Sequence, residues 1–468
     1  MSHEDLLQDV ARRAGRFLEG LRDRPVRASA TRDELVQALG GALPEEGESD
    51  ASVIARLAAG AEPGLIATAG PRFFGFVIGG SLPAALAADW LATTWDQNAG
   101  LYAASPAASV VEDIASEWLL DLFGLPPKAS VGFTTGCQMA NFTALAAARH
   151  AVLKRAGWDV EAKGLFGAPE IHVVLAAEAH VTIFSALRML GLGSERVHRV
   201  PTDDQGRVRA EEMRKVLAGC QGPTIVCAQA GNVNTGAFDP LADVVAMAHA
   251  RGAWVHVDGA FGLWATASPE LRGQTAGIAG ADSWATDGHK WLNVPYDSGI
   301  VIVADSAAHR GAMSSKAAYL IEASGPERDP LEYVPEFSRR ARGFAVYAAL
   351  RALGRRGVAD MIERCSRLAR RMRDRLRDEP AVRIMNDVVL NQVLVRFEAP
   401  GVDADALTRA VITRVQNEGT CWLSGSKWHE MQVMRVSVSN WSTTDADIDR
   451  SGDAILSAQR VELSAAGR

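Results

Sequence analysis

Short apolar segments alternate with amphipathic helical segments through the central part of this 468-residue chain. The segments are rich in Val, Ile, Leu and Ala, and they lie at 171–176, 196–200, 224–228, 254–257 and 299–303. Apolar strands that alternate with helices are typical of a largely parallel sheet buried on both faces. The sequence therefore predicts an α/β fold in which ligands bind at the carboxyl ends of the strands.

Polar side chains follow several of these predicted strands. His180 comes shortly after the first strand, Asn232 and Asn234 follow the third, and Asp258 directly follows the fourth. Because parallel strands end at a common edge of their sheet, we expect these side chains to lie on the same side of the domain.

A turn of small residues precedes an Ala-rich helical segment near residue 137. Thr134, Thr135, Gly136 and Cys137 stand between a short predicted strand and that segment. Exposed N–H groups at a helix N-terminus bind anions, and small side chains let a phosphate approach closely. Turns of this composition also occur without a ligand, so the motif indicates a phosphate site only in combination with other features.

Lys290 follows a histidine and a glycine at the end of an apolar segment that contains tryptophan. A lysine forms Schiff bases with aldehydes when its surroundings favour the neutral amine. The alternative is a surface lysine whose stem covers apolar neighbours.

Together, these features match the needs of pyridoxal 5'-phosphate (PLP). The cofactor needs a lysine for its aldehyde, a carboxylate for its pyridine nitrogen, a flat side chain over its ring and N–H donors for its phosphate. Lys290, Asp258, His180 and the turn at Gly136 supply these groups in the order expected on one α/β pattern.

Over roughly residues 65–450 the chain resembles the group II PLP-dependent decarboxylases, which include aromatic-amino-acid and glutamate decarboxylases. The resemblance is carried by short motifs: Pro71-Arg72-Phe73-Phe74, Thr134-Thr135-Gly136, Glu178-Ala179-His180, Gly236-Ala237-Phe238-Asp239-Pro240, His256-Val257-Asp258, His289-Lys290-Trp291, Ser338-Arg339-Arg340 and Arg435 with Asn440.

The resemblance implies a type I aminotransferase-like fold with a mostly parallel, seven-stranded sheet. We expect a helical arm over residues 1–80 that packs on a partner subunit, a PLP-binding domain over 81–350 and a small α+β domain over 351–468. It also implies an obligate homodimer with the active site at the interface.

The same resemblance implies individual roles. Lys290 is similar to the lysine that binds the cofactor, Asp258 to the partner of the pyridine nitrogen, and His180 to the residue that stacks on the ring. Phosphate and ring contacts are expected from Thr135, Gly136, Cys137, Ala260 and His289. This chain has Cys137 where the family usually has a small residue such as Ala or Ser, and Gly288 where it usually has Pro. At Asp287 the family often has Asn or Asp. Such differences would alter the phosphate contacts.

The predictions for the residues that bind the substrate or donate the proton each have an alternative. Arg435 is similar to the arginine that binds the substrate carboxylate in glutamate decarboxylases, or it forms a structural ion pair. Phe73 and Phe74 indicate an apolar or aromatic substrate pocket, or ordinary core packing. Tyr333 is the expected donor of a proton to the substrate carbon, with Tyr319 as the alternative on the same long loop.

The predicted reaction is α-decarboxylation of an L-amino acid, preferably one with an apolar or aromatic side chain, to an amine and CO2. One alternative is a PLP-dependent carbon–carbon lyase, aldolase or aldehyde synthase on the same fold. The other is a homologue that binds PLP without catalysis.

Composition narrows the partners and the compartment. A net charge of −7 without a basic cluster disfavours nucleic acid and anionic membranes. The N-terminal segment resembles an amphipathic helix rather than a signal peptide, and no apolar run reaches the roughly 20 residues of a membrane span. Five cysteines without a CxxC pair predict neither disulfides nor a structural zinc site, so we expect a cytoplasmic protein without a metal.

Overall fold

The structure is a computed structural model that describes residues 2–314 and 327–466. The chain forms two compact units. The small-sheet unit comprises Met1–Ile78, Arg371–Ile384 and Leu394–Arg468, and the large-sheet unit comprises Gly79–Arg370 and Met385–Val393.

The strands are β1 (Ser130–Thr134), β2 (His172–Ala176), β3 (Val197–Val200), β4 (Thr224–Gln229), β5 (Trp254–Asp258), β6 (Ser283–Asp287), β7 (Gly299–Val303), β8 (Val382–Ile384), β9 (Gln392–Phe397), β10 (Ser424–Trp428) and β11 (Met431–Ser437). The α-helices are α1 (His3–Gly20), α2 (Arg32–Leu39), α3 (Asp50–Ala61), α4 (Pro83–Trp95), α5 (Pro106–Phe123), α6 (Cys137–Arg155), α7 (Val160–Lys163), α8 (Val181–Met189), α9 (Ala210–Gly219), α10 (Leu241–His249), α11 (Ser306–Met313), α12 (Gly343–Leu376), α13 (Ala404–Glu418) and α14 (Asp445–Ala466). None of these helices in the described chain combines the length and hydropathy that a membrane span requires.

The large-sheet unit is built on a seven-stranded sheet with the order β1-β7-β6-β5-β4-β2-β3. Strands β2 to β6 pair in parallel with one another, whereas β7 is antiparallel to both of its neighbours. All residues of β4, β5 and β6 are buried, as expected for a sheet covered on both faces. The predicted α/β fold is therefore confirmed, and the carboxyl ends of β2, β4, β5 and β6 lie at one edge.

Helix α6 packs tightly on this sheet because its inward face consists largely of alanine. Ala140, Ala144, Ala147 and Ala148 are fully buried in the main apolar core. Small side chains let the helix approach the strands closely, and this packing fixes the position of the helix N-terminus.

The small-sheet unit contains a four-stranded sheet with the order β10-β11-β9-β8. The motif that begins at Pro71 packs within this unit. The buried Arg72 side chain donates hydrogen bonds to the backbone carbonyls of Arg22, at 2.8 Å, and Thr420. Hydrogen bonds of this kind stabilise a charged group in the interior.

Strand β6 was absent from the predicted set of apolar strands. Its sequence, Ser-Trp-Ala-Thr-Asp, contains three polar residues, although all five positions are buried. The polar groups are satisfied locally, since Ser283 Oγ accepts from Trp254 Nε1 at 2.9 Å and Thr286 Oγ1 donates to Ala260 O at 3.3 Å. Apolar composition alone therefore missed the strand that ends at Asp287.

Gly262 illustrates how closely the segments after β4 and β5 approach each other. A Cβ atom at Gly262 would lie 2.1 Å from the carbonyl oxygen of Ala230. Ala230 N in turn donates to Asp258 O at 2.8 Å, so the two segments are held together directly.

We predict that Gly262→Ala lowers the free energy of unfolding by about 1–3 kcal/mol, because backbone must shift to admit the methyl group. Gly273→Ala is the matched control, since a Cβ there has no atom within 4 Å. Denaturant unfolding of both variants measures the two free energies of unfolding. Equal values would contradict the close approach of Gly262 to Ala230.

Candidate active site

An ion pair links Lys290 to the end of strand β6. Lys290 Nζ lies 2.9 Å from Asp287 Oδ2, and the two side chains are 20% and 3% exposed. Asp287 is the last residue of β6, and Lys290 follows it by three positions in a turn. The amine therefore lies at the carboxyl edge of the sheet, where the strand pattern predicts ligand binding.

The surroundings of Lys290 favour its charged form. Burial by itself lowers the pKa of Lys290, but Asp287, with further contributions from Cys137 and Asp258, raises this pKa to about 12. Lysine acts as a nucleophile only as the neutral amine. Lys290 must therefore lose a proton before it attacks an aldehyde.

The N-terminus of helix α6 points at the same carboxylate. Cys137 N donates to Asp287 Oδ1 at 2.5 Å. A Cβ at Gly136 would lie 3.2 Å from the His289 ring, so glycine keeps this space open. In this structure a carboxylate of the chain itself accepts the hydrogen bond at the helix N-terminus, and phosphate binding there stays a prediction.

His289 also faces Asp287. Its Nδ1 accepts a hydrogen bond from Ser298 N at 3.0 Å, which leaves the proton on Nε2. That Nε2 lies 3.3 Å from Asp287 Oδ1. Burial lowers the pKa of His289, and the Tyr296 ring stacks on the imidazole with centroids 4.2 Å apart. His289 therefore offers a neutral N–H donor beside the helix N-terminus.

Asp258 ends strand β5 and is 4% exposed. Its Oδ1 accepts from Ala260 N at 3.2 Å and lies 3.5 Å from Cys137 Sγ. Burial, reinforced by Asp258 and Asp287, raises the pKa of the Cys137 thiol well above its ordinary value. The protonated thiol thus acts as a weak donor to the Asp258 carboxylate.

A chain of hydrogen bonds runs from strand β5 to His180. His256 Nε2 donates to Asn141 Oδ1 at 2.9 Å, and Asn141 Nδ2 lies 3.5 Å from Thr182 Oγ1. Thr182 Oγ1 lies 2.8 Å from His180 Nδ1. Burial lowers the pKa of His256 to about 4, against an opposing contribution from Asp258. His256 is therefore neutral near pH 7, and the chain of contacts connects it to His180.

The motif around Asp239 supports the loop after β4. Asp239 is buried, and its two carboxylate oxygens accept from Val208 N and Gln229 N, each at 2.7 Å. Burial raises the pKa of Asp239 to about 6. Gly236 has a φ of +78°, which favours glycine, so this part of the resemblance reflects backbone geometry.

Several predicted site residues lie in the small-sheet unit. Phe73 stacks on Trp422 with centroids 5.0 Å apart, and Phe74 N donates to Trp422 O at 2.7 Å. Arg435 lies on β11, where burial lowers its pKa to about 10. The stacking on Trp422 accounts for the burial of the Phe73 ring, and substrate binding by the three residues stays a prediction.

Tyr333 lies at the end of a short 3-10 turn, Pro330–Tyr333. Its ring packs edge-on against His309, with centroids 5.3 Å apart, and under the Arg328 guanidinium at 4.2 Å. Proton donation by Tyr333 stays a prediction, and Tyr319 lies outside the described residues. Thr135 lies in the turn between β1 and α6, as predicted.

The sequence did not assign site roles to Asp287, His256, Asn141 and Tyr296. Asp287 is three residues from the lysine, at the end of a strand that composition missed. His256 is a polar residue inside an apolar strand, and that was the one available signal for it. Asn141 and Tyr296 are identified by three-dimensional contacts alone.

Comparison with known proteins identifies the family. The model of the pyridoxal-dependent decarboxylase conserved domain matches residues 33–398. Tryptophan decarboxylase 1 of Oryza sativa subsp. japonica is 28% identical, over 81% of this chain and 78% of the relative. An aromatic-L-amino-acid decarboxylase of Bacillus atrophaeus is 25% identical, over 92% of this chain and 89% of the relative.

Solved structures share the fold. The crystal structure of Oryza sativa TDC with PLP and tryptamine superposes with a TM-score of 0.90 and 23% identity, covering 98% of this chain and 97% of that one. Mouse CSAD superposes with a TM-score of 0.87 and 23% identity, covering 98% of each chain. The family match extends over most of the sequence, from the first turn of α2 to the end of β9. The chain belongs to the pyridoxal-dependent decarboxylase family and is a PLP-dependent amino acid decarboxylase.

Proposed function

We propose that Lys290 binds the PLP aldehyde and that the enzyme decarboxylates an aromatic L-amino acid. The observation that carries the proposal is the position of the Lys290 amine. It is 2.9 Å from a carboxylate that also accepts the first N–H of helix α6. A single small region therefore offers both the amine for the aldehyde and the helix N-terminus for the phosphate.

The residues around Lys290 fit the cofactor. Gly136, Cys137 and His289 would hold the phosphate through N–H groups, with Thr135 in the same turn. Ala260 is small and half-buried, and Ala260 N donates to Asp258. His180 would cover the cofactor ring, and its Nδ1 is held by Thr182.

When bound, PLP accepts the electron pair that is released as the bond between Cα and the carboxylate of the amino acid breaks. Asp258 would hold a proton on the pyridine nitrogen, because its buried carboxylate is placed to pair with a cation. Neutral His256 adds no positive charge beside Asp258. Lys290 would hold the cofactor through its amine and would give up that position to the amine of the substrate.

The relatives support an aromatic substrate. Tryptophan decarboxylase 1 and the aromatic-L-amino-acid decarboxylase match over 81% and 92% of this chain. A mouse histidine decarboxylase, whose named substrate is also a ring-bearing amino acid, matches over 96%. The mouse acidic amino acid decarboxylase GADL1 matches over 71%, so acidic substrates belong in any test.

The substrate proposal is tested by CO2 release from Trp, Tyr, Phe, His, Glu and Asp, with amine, aldehyde and ammonia measured in parallel. We expect CO2 with an equimolar amine from at least one aromatic substrate. Lys290→Ala, the matched control, should lose the absorbance band of the bound cofactor and all turnover. Turnover of Glu or Asp alone would refute the aromatic proposal, and aldehyde with ammonia would indicate aldehyde synthesis.

Asp287 gives a second prediction, which concerns cofactor loading. Asp287→Asn removes the charge that raises the pKa of Lys290 and keeps an oxygen for Cys137 N. The pKa of Lys290 should then fall, because burial is less opposed, so more neutral amine is present at pH 7. We expect PLP to load onto the cofactor-free variant at least about tenfold faster, one pKa unit being tenfold in neutral amine.

The change of cofactor absorbance after mixing with PLP measures this rate across pH. In the unsubstituted enzyme the rate should rise with pH toward the raised pKa of Lys290. Asp297→Asn is the control, since that carboxylate pairs with Arg342 at 2.7 Å rather than with the lysine. Equal loading rates for the Asp287 variant and the unsubstituted enzyme would contradict the role of the ion pair.

We also propose that the enzyme is a homodimer, in which residues 1–80 pack on the partner subunit. Most of the exposed large apolar side chains of the described residues lie before residue 96. Helices α1 and α2 contain no buried residue. In α4, Trp90 and Leu91 are 40% and 48% exposed. Large apolar side chains left exposed in this way support an interface.

Light scattering should therefore give twice the mass of one chain. Trp90→Glu with Leu91→Glu should shift this toward one chain, because charges would enter the interface. Phe166→Glu is the control, since the Phe166 side chain is 97% exposed and lies outside the part of the chain before residue 96. A monomeric unsubstituted enzyme would contradict the proposal.

We propose that the protein lies in a reducing compartment such as the cytoplasm, and the support comes from its cysteines. All five lie in the described residues, are buried and form no disulfide bond. Buried free thiols are typical of proteins kept under reducing conditions.

A further inference from the structure

Two histidines and a cysteine meet at the sheet edge opposite the active site. His172 is the first residue of β2, His198 lies in β3 and Cys220 directly follows α9. One ligand atom from each residue lies within 4.8 Å of the other two. Because Asp258 ends its strand and His172 begins a parallel one, the cluster and the cofactor site lie at different edges.

Strand pairing assembles this cluster from distant parts of the sequence. Strand β3 pairs in parallel with β2, with Val174 opposite His198. Cys220 lies just before β4, the other neighbour of β2. Strands β2 and β3 and the segment between α9 and β4 thus contribute one potential ligand each.

The hydrogen bonds of His172 prepare one nitrogen for a metal ion. His172 Nε2 lies 3.2 Å from the carbonyl oxygen of Gln221, which can only accept, so this nitrogen carries the proton. Nδ1 therefore presents a lone pair, and it lies 3.2 Å from His198 Nε2. A backbone carbonyl that orients the outer nitrogen of a histidine is a common feature of metal sites.

Cys220 completes a set of two nitrogens and one sulfur. It is 9% exposed, and its Sγ lies 3.4 Å from Val216 O. Burial raises the pKa of Cys220, while the Arg251 guanidinium acts in the opposite direction. The Glu170 carboxylate, which lies near His172 and His198, forms a 2.6 Å ion pair with Arg196. A bound cation would displace the thiol proton, as metals do at cysteine ligands.

We infer that His172, His198 and Cys220 bind a divalent transition-metal ion, of which Zn²⁺ is the representative. Two imidazole nitrogens and a thiolate suit Zn²⁺ and Co²⁺, whereas Mg²⁺ and Ca²⁺ prefer oxygen ligands. The fourth position is open to water. The ion would join β2, β3 and the segment before β4, and so stabilise the edge strand of the sheet.

The test uses the enzyme with its cofactor bound, freed of metal by a chelator and titrated with Zn²⁺ against a chromophoric competitor. We expect one Zn²⁺ per chain. His198→Gln and Cys220→Ser should each weaken binding at least about tenfold, since even groups that only support metal ligands contribute 10–100-fold. His249→Gln is the control, a surface histidine whose Nε2 contacts Asp282.

Titration with Co²⁺ identifies the sulfur ligand. The unsubstituted enzyme and His249→Gln should show a thiolate-to-cobalt absorption band that Cys220→Ser lacks. Cofactor absorbance and the unfolding temperature establish that each variant is folded, and His198 is exposed, so its substitution leaves the core intact. Absence of stoichiometric binding, or equal binding by all variants, would overturn the inference.

Discussion

Parallel pairing of β2, β4, β5 and β6 brings the carboxyl ends of these strands to one edge of the seven-stranded sheet. The arrangement of the site depends on this constraint. His180, Asp258 and Asp287 are distant in sequence, yet each stands at or just beyond the end of one of these strands. Helix α6 adds its N-terminus at the same edge because its alanine face lies close against the sheet. The backbone thus fixes the positions, and the side chains supply the chemistry.

Asp287 connects the electrostatics of the site. Its carboxylate contacts the Lys290 amine, the Cys137 N–H and the His289 ring, all within 3.3 Å. An anion at a helix N-terminus and beside a buried cation is stabilised by both. The consequence is a raised pKa at Lys290, and the proposed loading of PLP requires the amine to lose its proton. Phosphate and Asp287 would then share the donors at the start of α6.

The same principle of strand pairing explains the second cluster. The prediction of no structural zinc site rested on the spacing of cysteines along the sequence. His172, His198 and Cys220 have no local spacing motif, because they meet through the pairing of β2 with its two neighbours. Sequence spacing detects clusters built on one turn or loop, and it does not detect clusters that a sheet assembles from separate elements.

The sequence alone determined the fold class, the family, the cofactor and the reaction, because apolar periodicity and short motifs around Lys290, Asp258 and His180 are local properties. Several roles still rest on resemblance, among them those of Arg435, Phe73, Phe74 and Tyr333. Only the tertiary structure decided that Asp287 holds the lysine and that Asn141 and His256 support His180. Those contacts join residues from β5, β6, α6 and the start of α8, and their distances depend on how the helices pack on the sheet. No pattern along the chain encodes such distances, because burial and hydrogen bonding between elements are set when the core forms.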